Sequence, residues 1–429
     1  MGTFSNIASI FSDIANSLRS KMGSQDTFTP SQMAPAINNI PTGPNIDEYV
    51  NTYDTEYVLG VTGVINERVV QYGTYDGTKW DVSNASNLFN NNRSTFEQYS
   101  AIRFGNNVTN MKLTFYNCRN FNRPVIIGNN VTDMYGTFWY CSSFNQPITI
   151  PDSVTNMSQT FASSNNFNLP ITIPDSVIYL MSTFSYSNNF NQPITIPDSV
   201  KYMNNAFERC NSFNQPVTIG NNVNSMAYAF RNCRKFNQPI TIPDSVIYIN
   251  DLFRDCASFN QPVTIGNNVK YMTNTFMGCT IFNQPVTIGN NVTIMVETFQ
   301  NCRNFNQPVT IGNNVKHMER VFNNCSNFNQ PITIPDSVTD MYETFINCYR
   351  FKNNLFFKNS SNLFAVAIFN NCNNSLKKNI YCKNANPFIE LTDYDSIVGA
   401  PVTWTAMSDG NGYYNATYNV YIYNNWTPS

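Results

Sequence analysis

Charged residues are scarce in this sequence. Only 12% of its 429 residues are Asp, Glu, Lys or Arg, and the formal net charge is −2, whereas a typical globular protein is about 25% charged. A chain without an excess of Lys and Arg has no electrostatic footprint for nucleic acid or for an anionic membrane surface. We therefore expect no nucleic-acid partner.

Histidine and long apolar runs are scarce as well. His317 is the only histidine, and without a second histidine or a paired nucleophile it does not predict triad or metal chemistry. No GxGxxG or P-loop arrangement follows a strand pattern. The longest clean apolar stretch, residues 364–369, is far below the roughly 18 residues of a membrane-spanning helix. These features predict a protein with no enzymatic activity, no cofactor, no metal and no membrane insertion.

The N-terminus lacks the residue order of a secretory signal. Its basic residues follow the apolar part, and Asp13 lies inside that part, whereas a signal peptide has the reverse order. Asn6 breaks the myristoylation pattern, which needs Ser or Thr at that position. The sequence predicts synthesis in a cytoplasm without a signal peptide.

A 23-residue repeat dominates what the chain does contain. A Phe-Asn pair recurs every 23 residues from Phe121 to Phe328, and a second Phe column runs in step from Phe115 to Phe345. Eleven units fill residues 98–372. One such unit cannot bury its own apolar edge, so neighbouring units must stack. The repeat therefore predicts a solenoid.

Each unit is predicted to contain a strand, a turn and a helical return. The alternation of Ile148, Thr149 and Ile150 predicts a half-buried strand. The next three residues are PDS in five units and GNN in six, which predicts a type I turn with Pro or Gly second; a position that accepts Pro does not need a left-handed φ. Val154 and apolar positions three, seven and ten residues later predict one face of a short helix. The predicted fold class is an α+β repeat solenoid with a parallel β-sheet.

The segment FNQPITIPDSVTNMSQTF, residues 144–161, resembles the BspA-like leucine-rich repeats. That resemblance implies a leucine-rich-repeat-type solenoid of parallel strands used for adhesion to a cell-surface glycan or protein. Family members on cell surfaces normally carry a signal peptide, and this sequence departs from that pattern.

Three segments flank the solenoid. Residues 1–45 predict a helical anchor segment and linker. Residues 46–97 predict a small β-rich module that caps the first unit, with a hairpin at the Asp-Gly pair 76–77. Residues 373–429 predict a C-terminal β-rich segment with a turn at 409–412.

The N-terminal segment, residues 14–40, resembles an element common near the ends of tail, baseplate and fibre proteins of phages that infect Firmicutes. The resemblance implies anchoring to other virion proteins and, by analogy with fibres, homo-oligomerisation. The predicted anchoring residues lie on two predicted helices: Phe4, Ile7, Phe11, Ile14 and Leu18 at helical spacing on the first, and Met33 and Ile37 on the second.

Several columns of the repeat carry chemically reactive residue types, and we interpret them as structural. The ten cysteines of one column are predicted to be buried inert thiols, because Ser164 and Ser187 replace Cys in the same register. The Asn of each Phe-Asn pair is predicted to form a hydrogen-bonded ladder between coils. The Asp of the PDS turn is not predicted to be catalytic, since Asn replaces it in six units and would abolish acid–base chemistry.

Binding is expected where the units differ. We predict surface-binding residues among the variable aromatic and histidine positions and the C-terminal aromatics, namely Tyr135, Trp139, Tyr140, Tyr179, Tyr202, Tyr228, Tyr248, Tyr271, His317, Trp404, Tyr421, Tyr423 and Trp426. The C-terminal aromatics could equally form the core of a small sheet. A row of Thr on the strands is either β-propensity on a solvated face or a surface for a repetitive glycan.

The preferred interpretation is a phage virion structural protein, of tail-fibre, baseplate or receptor-binding type, that presents the solenoid for host-surface adhesion. The alternative is a bacterial BspA-like surface adhesin. A polysaccharide-degrading tail protein is less favoured, because no acidic pair stands apart from the turn columns.

Overall fold

The repeat builds a solenoid in which each 23-residue unit is one coil, as a computed structural model shows. The side chains and backbone described are those of residues 85–92, 101–106, 108–353 and 372, together with short strands between 74 and 81 and between 355 and 418. All of them belong to the second of two units of the chain, Tyr53–Ser429. The predicted helical anchor, with Phe4, Ile7, Phe11, Ile14, Leu18, Met33 and Ile37, lies outside the described residues.

Strands are the only regular elements in the described part of the chain, and most are two residues long. In chain order they are β1 Thr74–Tyr75, β2 Trp80–Asp81, β3 Ile102–Arg103, β4 Val125–Ile126, β5 Ile194–Thr195, β6 Val217–Thr218, β7 Ile240–Thr241, β8 Val263–Thr264, β9 Val286–Thr287, β10 Val309–Thr310, β11 Ile332–Ile334, β12 Leu355–Phe357, β13 Leu363–Phe364, β14 Lys378–Cys382, β15 Phe388–Glu390, β16 Thr405–Ala406 and β17 Tyr414–Tyr418. Within that part, no helix of the length and apolarity needed to cross a membrane occurs.

The coil strands pair in parallel but do not form a continuous sheet. They form the two-stranded pairs β3–β4, β5–β6, β7–β8 and β9–β10, each with a 23-residue register such as Ile194 opposite Val217. The prediction of parallel strands is therefore confirmed. The single parallel sheet predicted for the coils is replaced by pairs.

Within the four two-stranded pairs, the residue that opens the turn of the second coil bears on its pairing with the coil before it. Five coils open their turn with Pro, and none of them pairs with the coil before it, at Pro151, Pro174, Pro197, Pro243 and Pro335. The second coil of every pair opens with Gly instead, at Gly128, Gly220, Gly266 and Gly312. A Cβ at any of these four glycines would collide with a carbonyl oxygen of the preceding coil. Glycine thus permits the close approach that strand pairing requires.

The turn itself is displaced by one residue from its predicted position. The Val154 N–H donates to the Pro151 carbonyl oxygen at 3.1 Å, and Val131 donates in the same way to Gly128. Pro or Gly is therefore the first residue of the turn and not the second. Among the described residues, the only glycines with positive φ are Gly136 and Gly278, outside this column, so the prediction that the turn glycines are not left-handed is confirmed.

The predicted helical return is wrong. Residues 111–118 and their equivalents form consecutive turns in which two residues per coil have a left-handed φ, as at Leu113 (57°) and Asn117 (57°). Every second N–H donates to the next coil: Leu113 donates to the Tyr135 carbonyl at 2.8 Å. A helix would direct all of these donors along its own axis. Pairing with the neighbouring coil replaces helical bonding, while the apolar spacing that suggested a helix still points inward.

Two stacked columns of phenylalanine fill the core. The ring centroid of Phe138 lies 4.4 Å from that of Phe144 in the same coil, and the two rings are inclined by 11°. It lies 5.5 Å from the centroid of Phe161 in the next coil, with an inclination of 5°. All these rings are fully buried. Stacked rings at 4.5–7 Å add about 0.5–1.5 kcal/mol per pair beyond the burial of their area. The stack therefore couples each coil to its neighbours.

Both ends of the solenoid extend the predicted repeat. Residues 85–92 form an additional turn layer in which the Phe89 N–H donates to Thr114 at 2.8 Å and the Phe89 ring stacks on Phe115. At the other end, β11, β12, β14, β17 and β16 form one five-stranded sheet in that order. Its last two strands, β17 and β16, are an antiparallel hairpin around the predicted turn at 409–412, and β1 and β2 likewise flank the Asp-Gly pair at 76–77.

Candidate binding surface

The cysteine column is part of the hydrogen bonding that holds the coils together. The Cys141 thiol donates to the Phe115 carbonyl of the preceding coil, with Sγ 3.0 Å from the oxygen. The Ser164 hydroxyl donates to the Phe138 carbonyl at 2.7 Å in the same way. All ten described cysteines are free and buried. The column is therefore a row of buried donors and not merely of small apolar side chains.

Burial also removes the reactivity of these thiols. It raises the pKa of Cys118 to about 12, and it raises the pKa of Cys141 well above the ordinary value, with further contributions from the neighbouring thiol. The thiolate is the reactive and metal-binding form of cysteine. A column that stays protonated offers neither a nucleophile nor a soft metal site.

The predicted asparagine ladder is confirmed. Asn145 Oδ1 accepts a hydrogen bond from the Asn168 N–H at 3.1 Å, and the same contact recurs at each step to the one between Asn306 and Asn329. A second buried ladder was not predicted from the sequence: Thr137 Oγ1 lies within hydrogen-bond distance of the Met111 and Met134 carbonyls. Both ladders satisfy backbone groups that stacking would otherwise bury unpaired.

One variable position per coil forms a continuous backbone ladder along the whole solenoid, and we name it the variable stripe. Its members pair by parallel bridges in the order Asn110, Asp133, Asn156, Tyr179, Tyr202, Ser225, Tyr248, Tyr271, Ile294, His317 and Asp340. Tyr179, Tyr202 and Tyr248 are 39–40% exposed. The stripe thus presents a different side chain at each coil on a backbone that does not change.

The tyrosines of the variable stripe stack on one another. The rings of Tyr179 and Tyr202 are 5.8 Å apart with an interplanar angle of 6°, and those of Tyr248 and Tyr271 are 5.0 Å apart at 6°. The ring faces that meet inside each pair are covered by the partner ring. Each pair therefore presents ring edges, hydroxyl groups and its two outer ring faces to a ligand.

The structure brings together five of the predicted binding residues and separates the others. Tyr179, Tyr202, Tyr248, Tyr271 and His317 all belong to the variable stripe. Tyr135, Trp139, Tyr140 and Tyr228 lie in other columns of the consecutive turns. Trp404, Tyr421, Tyr423 and Trp426 lie outside the described residues.

The first coils carry an aromatic cluster outside the stripe. Trp139 packs edge-on against Tyr116 at 5.0 Å and stacks with Tyr140 at 5.4 Å. The Lys112 ammonium lies 5.1 Å from the centroid of the Tyr135 ring. These contacts satisfy the rings locally, so they account for the cluster as packing between neighbouring coils.

An ion-pair network occupies the consecutive turns near the C-terminal end. Arg320 binds Glu343 at 2.6 Å and Glu297 at 3.5 Å, and its guanidinium lies 5.1 Å from the Tyr342 ring. The two carboxylates come from the coils on either side of the Arg320 coil. This network links three successive coils.

A separate cluster of titratable groups surrounds the single histidine. His317, Glu319 and Asp340 place ligand atoms within 4.8 Å of one another. Burial, then a hydrogen bond with Asp340 and its like charge, raise the pKa of Glu319. Sequence reasoning missed this cluster because Asp340 is 23 residues from His317 and becomes its neighbour only through coil stacking.

The row of strand threonines is exposed in full. All of its members point to solvent, at Thr149, Thr172, Thr195, Thr218, Thr241, Thr264, Thr287, Thr310 and Thr333. This outcome agrees with the predicted alternation of buried and exposed strand residues.

Three solved solenoid structures are similar to this chain. A leucine-rich repeat protein from Bacteroides ovatus is 21% identical, covers 72% of this chain and 80% of its own, and has a TM-score of 0.49. One from Eubacterium ventriosum is 16% identical, covers 82% and 94%, and has a TM-score of 0.42. A leucine rich cell surface protein from Faecalibacterium prausnitzii is 19% identical, covers 67% and 86%, and has a TM-score of 0.35.

The family comparison covers most of the chain, whereas no curated protein matches it. A family model described as "Mycoplasma protein of unknown function, DUF285" matches five overlapping segments, residues 5–127, 83–175, 128–241, 203–311 and 289–381. The first segment runs through the N-terminal stretch that resembles phage tail proteins, and no comparison supports that resemblance. Because the matched segments together extend over far more than half of the sequence, the chain belongs to the DUF285 family of repeat proteins.

Proposed function

We propose that this protein is a non-catalytic adhesion solenoid that binds a cell-surface glycan or protein through the variable stripe. One observation carries the proposal: the coil interior repeats almost unchanged while outward positions vary, and the variable stripe sets one of these outward positions on a continuous backbone ladder. Repeat solenoids create extended binding surfaces in this way. A constant frame with variable outward side chains is suited to recognition.

The absence of an enzymatic role belongs to the same proposal. The described cysteines are held protonated by burial, and the turn column alternates Asp with Asn. Neither column therefore supplies a nucleophile or a paired general acid and base. Release of reducing ends from purified cell envelope by the protein would contradict this part of the proposal.

A bacterial surface setting is favoured over a virion. The virion interpretation, with its tail-fibre, baseplate or receptor-binding role and its homo-oligomeric assembly, depends on residues 1–45 alone. The solenoid explains adhesion without that segment. In this setting the partner is a host glycan or protein.

Immunogold labelling distinguishes the two settings. Antibody against the solenoid should decorate the surface of producing cells if the proposal is right. Label restricted to purified phage particles would support the virion interpretation instead. Deletion of residues 1–45 provides the matched control, since it should abolish incorporation into particles only if that segment is a virion anchor.

A further inference from the structure

The only histidine of the chain lies beside two carboxylates on adjacent coils. His317 and Asp340 are consecutive rungs of the variable stripe, joined by a parallel bridge. The Met318 N–H donates to the Asp340 carbonyl at 2.9 Å, which fixes the two rungs side by side. Glu319 follows His317 by two residues, and its carboxylate lies 3.9 Å from His317 Nδ1.

Each of the three side chains can reach an ion from solvent. The His317 and Glu319 side chains are 42% and 34% exposed. One carboxylate oxygen of Asp340, Oδ1, accepts the Tyr342 N–H at 3.0 Å. This bond orients the Asp340 carboxylate in the way that outer-shell hydrogen bonds orient metal ligands.

The two carboxylates of the cluster have no ion-pair partner among the described Lys and Arg residues, although the charge of Arg320 acts on Glu319 from a greater distance. Within the described residues, neither Glu319 nor Asp340 forms an ion pair with Lys or Arg, because the nearby Arg320 binds Glu297 and Glu343. Two carboxyl groups held against each other by a rigid backbone ladder repel when both are ionised. A divalent cation placed between them would remove that repulsion.

From this geometry we propose that His317, Glu319 and Asp340 form a binding site for a divalent transition-metal ion, with Zn²⁺ as the ion that fits best. Their ligand atoms lie within 4.8 Å of one another, whereas two ligands of one tetrahedral Zn²⁺ ion, each about 2.1 Å from the metal, lie about 3.4 Å apart. Small side-chain rotations on exposed residues close that difference. Imidazole selects Zn²⁺ and its neighbours over Mg²⁺ and Ca²⁺, which prefer oxygen ligands alone.

Three protein ligands at a half-exposed position leave coordination sites for water or for a donor atom of a bound partner. The ion would therefore sit in the variable stripe facing outward. The proposed site departs from the sequence-based expectation of no metal at His317, which rested on the missing second histidine. The inference does not depend on the adhesion proposal, because it concerns the free protein.

The test is isothermal titration of the chelator-treated full-length chain with Zn²⁺. Wild-type protein should bind at one site per chain. His317→Tyr and Asp340→Asn should each weaken binding by at least about tenfold, the smallest loss that even an outer-shell substitution produces. Both replacements are compatible with the fold, because the stripe itself contains Tyr271 and Asn156. Asp133→Asn is the matched control, because it makes the same change at the same stripe position in a distant coil, and it should bind like wild type.

Titration with Co²⁺ separates this site from the cysteines. Binding at His317, Glu319 and Asp340 should give weak d–d absorption with no thiolate charge-transfer band. A strong thiolate band, equal Zn²⁺ affinity in His317→Tyr, or binding of Ca²⁺ as tight as that of Zn²⁺ would overturn the proposal.

Discussion

The Cys141 thiol donates a hydrogen bond to the Phe115 carbonyl oxygen of the preceding coil, with Sγ and O 3.0 Å apart. The same carbonyl also accepts the Cys118 N–H at 3.0 Å. Each such carbonyl oxygen therefore accepts one hydrogen bond from its own coil and one from the next coil, and so joins the two coils. This relationship explains why Ser164 and Ser187 are the two natural replacements for Cys, since serine supplies the same donor.

Replacing a cysteine of this column by serine should disturb the solenoid less than replacing it by alanine. Cys256 donates to the Phe230 carbonyl at 3.0 Å, and Cys256→Ser retains that donor, whereas Cys256→Ala loses it. We expect Cys256→Ala to be less stable than Cys256→Ser by about 1 kcal/mol. Urea unfolding midpoints followed by circular dichroism measure the difference. Equal midpoints would show that the thiol acts only through its volume.

The buried thiols should make the protein less stable in alkali. Burial raises their pKa in the folded state, to about 12 for Cys118, whereas an unfolded thiol has a pKa near 8.5. The unfolded state therefore loses protons first as the pH rises. The stabilisation is complete below about pH 8.5 and is lost progressively as the pH rises toward the folded values. Unfolding midpoints between pH 7 and pH 10.5 should show this decline.

Thiol labelling provides the control for that prediction. The native protein should leave the ten described cysteines unlabelled at neutral pH, and denaturation without reductant should expose all 11 cysteines of the chain. Far fewer than 11 reactive thiols in the denatured protein would show that disulfides are present.

Two glycines of the turn column should respond differently to the same substitution. A Cβ at Gly312 would collide with the carbonyl of Gly289, while a Cβ at Gly289 meets nothing within 4 Å. We expect Gly312→Ala to destabilise the protein by about 1–3 kcal/mol, because the paired coils must separate. Gly289→Ala should be neutral or stabilising by up to about 1 kcal/mol. Thermal melting of the two variants, prepared identically, makes the comparison, and similar losses in both would contradict the close-approach explanation.

A left-handed residue in the consecutive turns should be improved by glycine. Ser163 has a φ of 55°, a conformation that costs an L-residue roughly 1–2 kcal/mol and costs glycine almost nothing. Ser163→Gly should therefore leave stability unchanged or raise it by up to about 1 kcal/mol, despite the added chain entropy. Ser163→Val should lower it, since a β-branched side chain tolerates this φ poorly. Chemical denaturation measures the change in the free energy of unfolding for each variant. A gain in Ser163→Gly and a loss in Ser163→Val would confirm the left-handed backbone at this position.

The repeat period was enough to predict the solenoid, its buried columns and its asparagine ladder. Inward columns recur at one spacing, and spacing is visible in a sequence. The form of the return was not predictable in the same way, because the apolar positions after Val154 fit a helix and a series of turns equally well. What decides between them is hydrogen bonding to the next coil, such as Leu113 to Tyr135, and this contact has no local signature.

The candidate site was predictable only in part, for the same reason. Tyr179 and Tyr202 share one register, so their common column could be found from the period. Histidine occurs only once in the stripe, so the pairing of His317 with Asp340 does not recur in the other coils. Only stacking of the coils brings such residues together, and Glu319 adds to the cluster from a different column.

Binding of tyrosine variants to intact cells tests the central claim that the variable stripe carries recognition. Tyr202→Ser changes the variable stripe, which already contains a serine at Ser225. Tyr186→Ser is the control: it changes an exposed tyrosine of another column, which already contains a serine at Ser163. Purified fluorescent protein would be titrated on cells that carry the receptor. We expect Tyr202→Ser to weaken binding by about tenfold or more, as loss of an interface tyrosine does, while Tyr186→Ser binds like wild type. Unchanged binding by Tyr202→Ser, with binding lost in Tyr186→Ser, would place recognition on the consecutive turns and contradict the account.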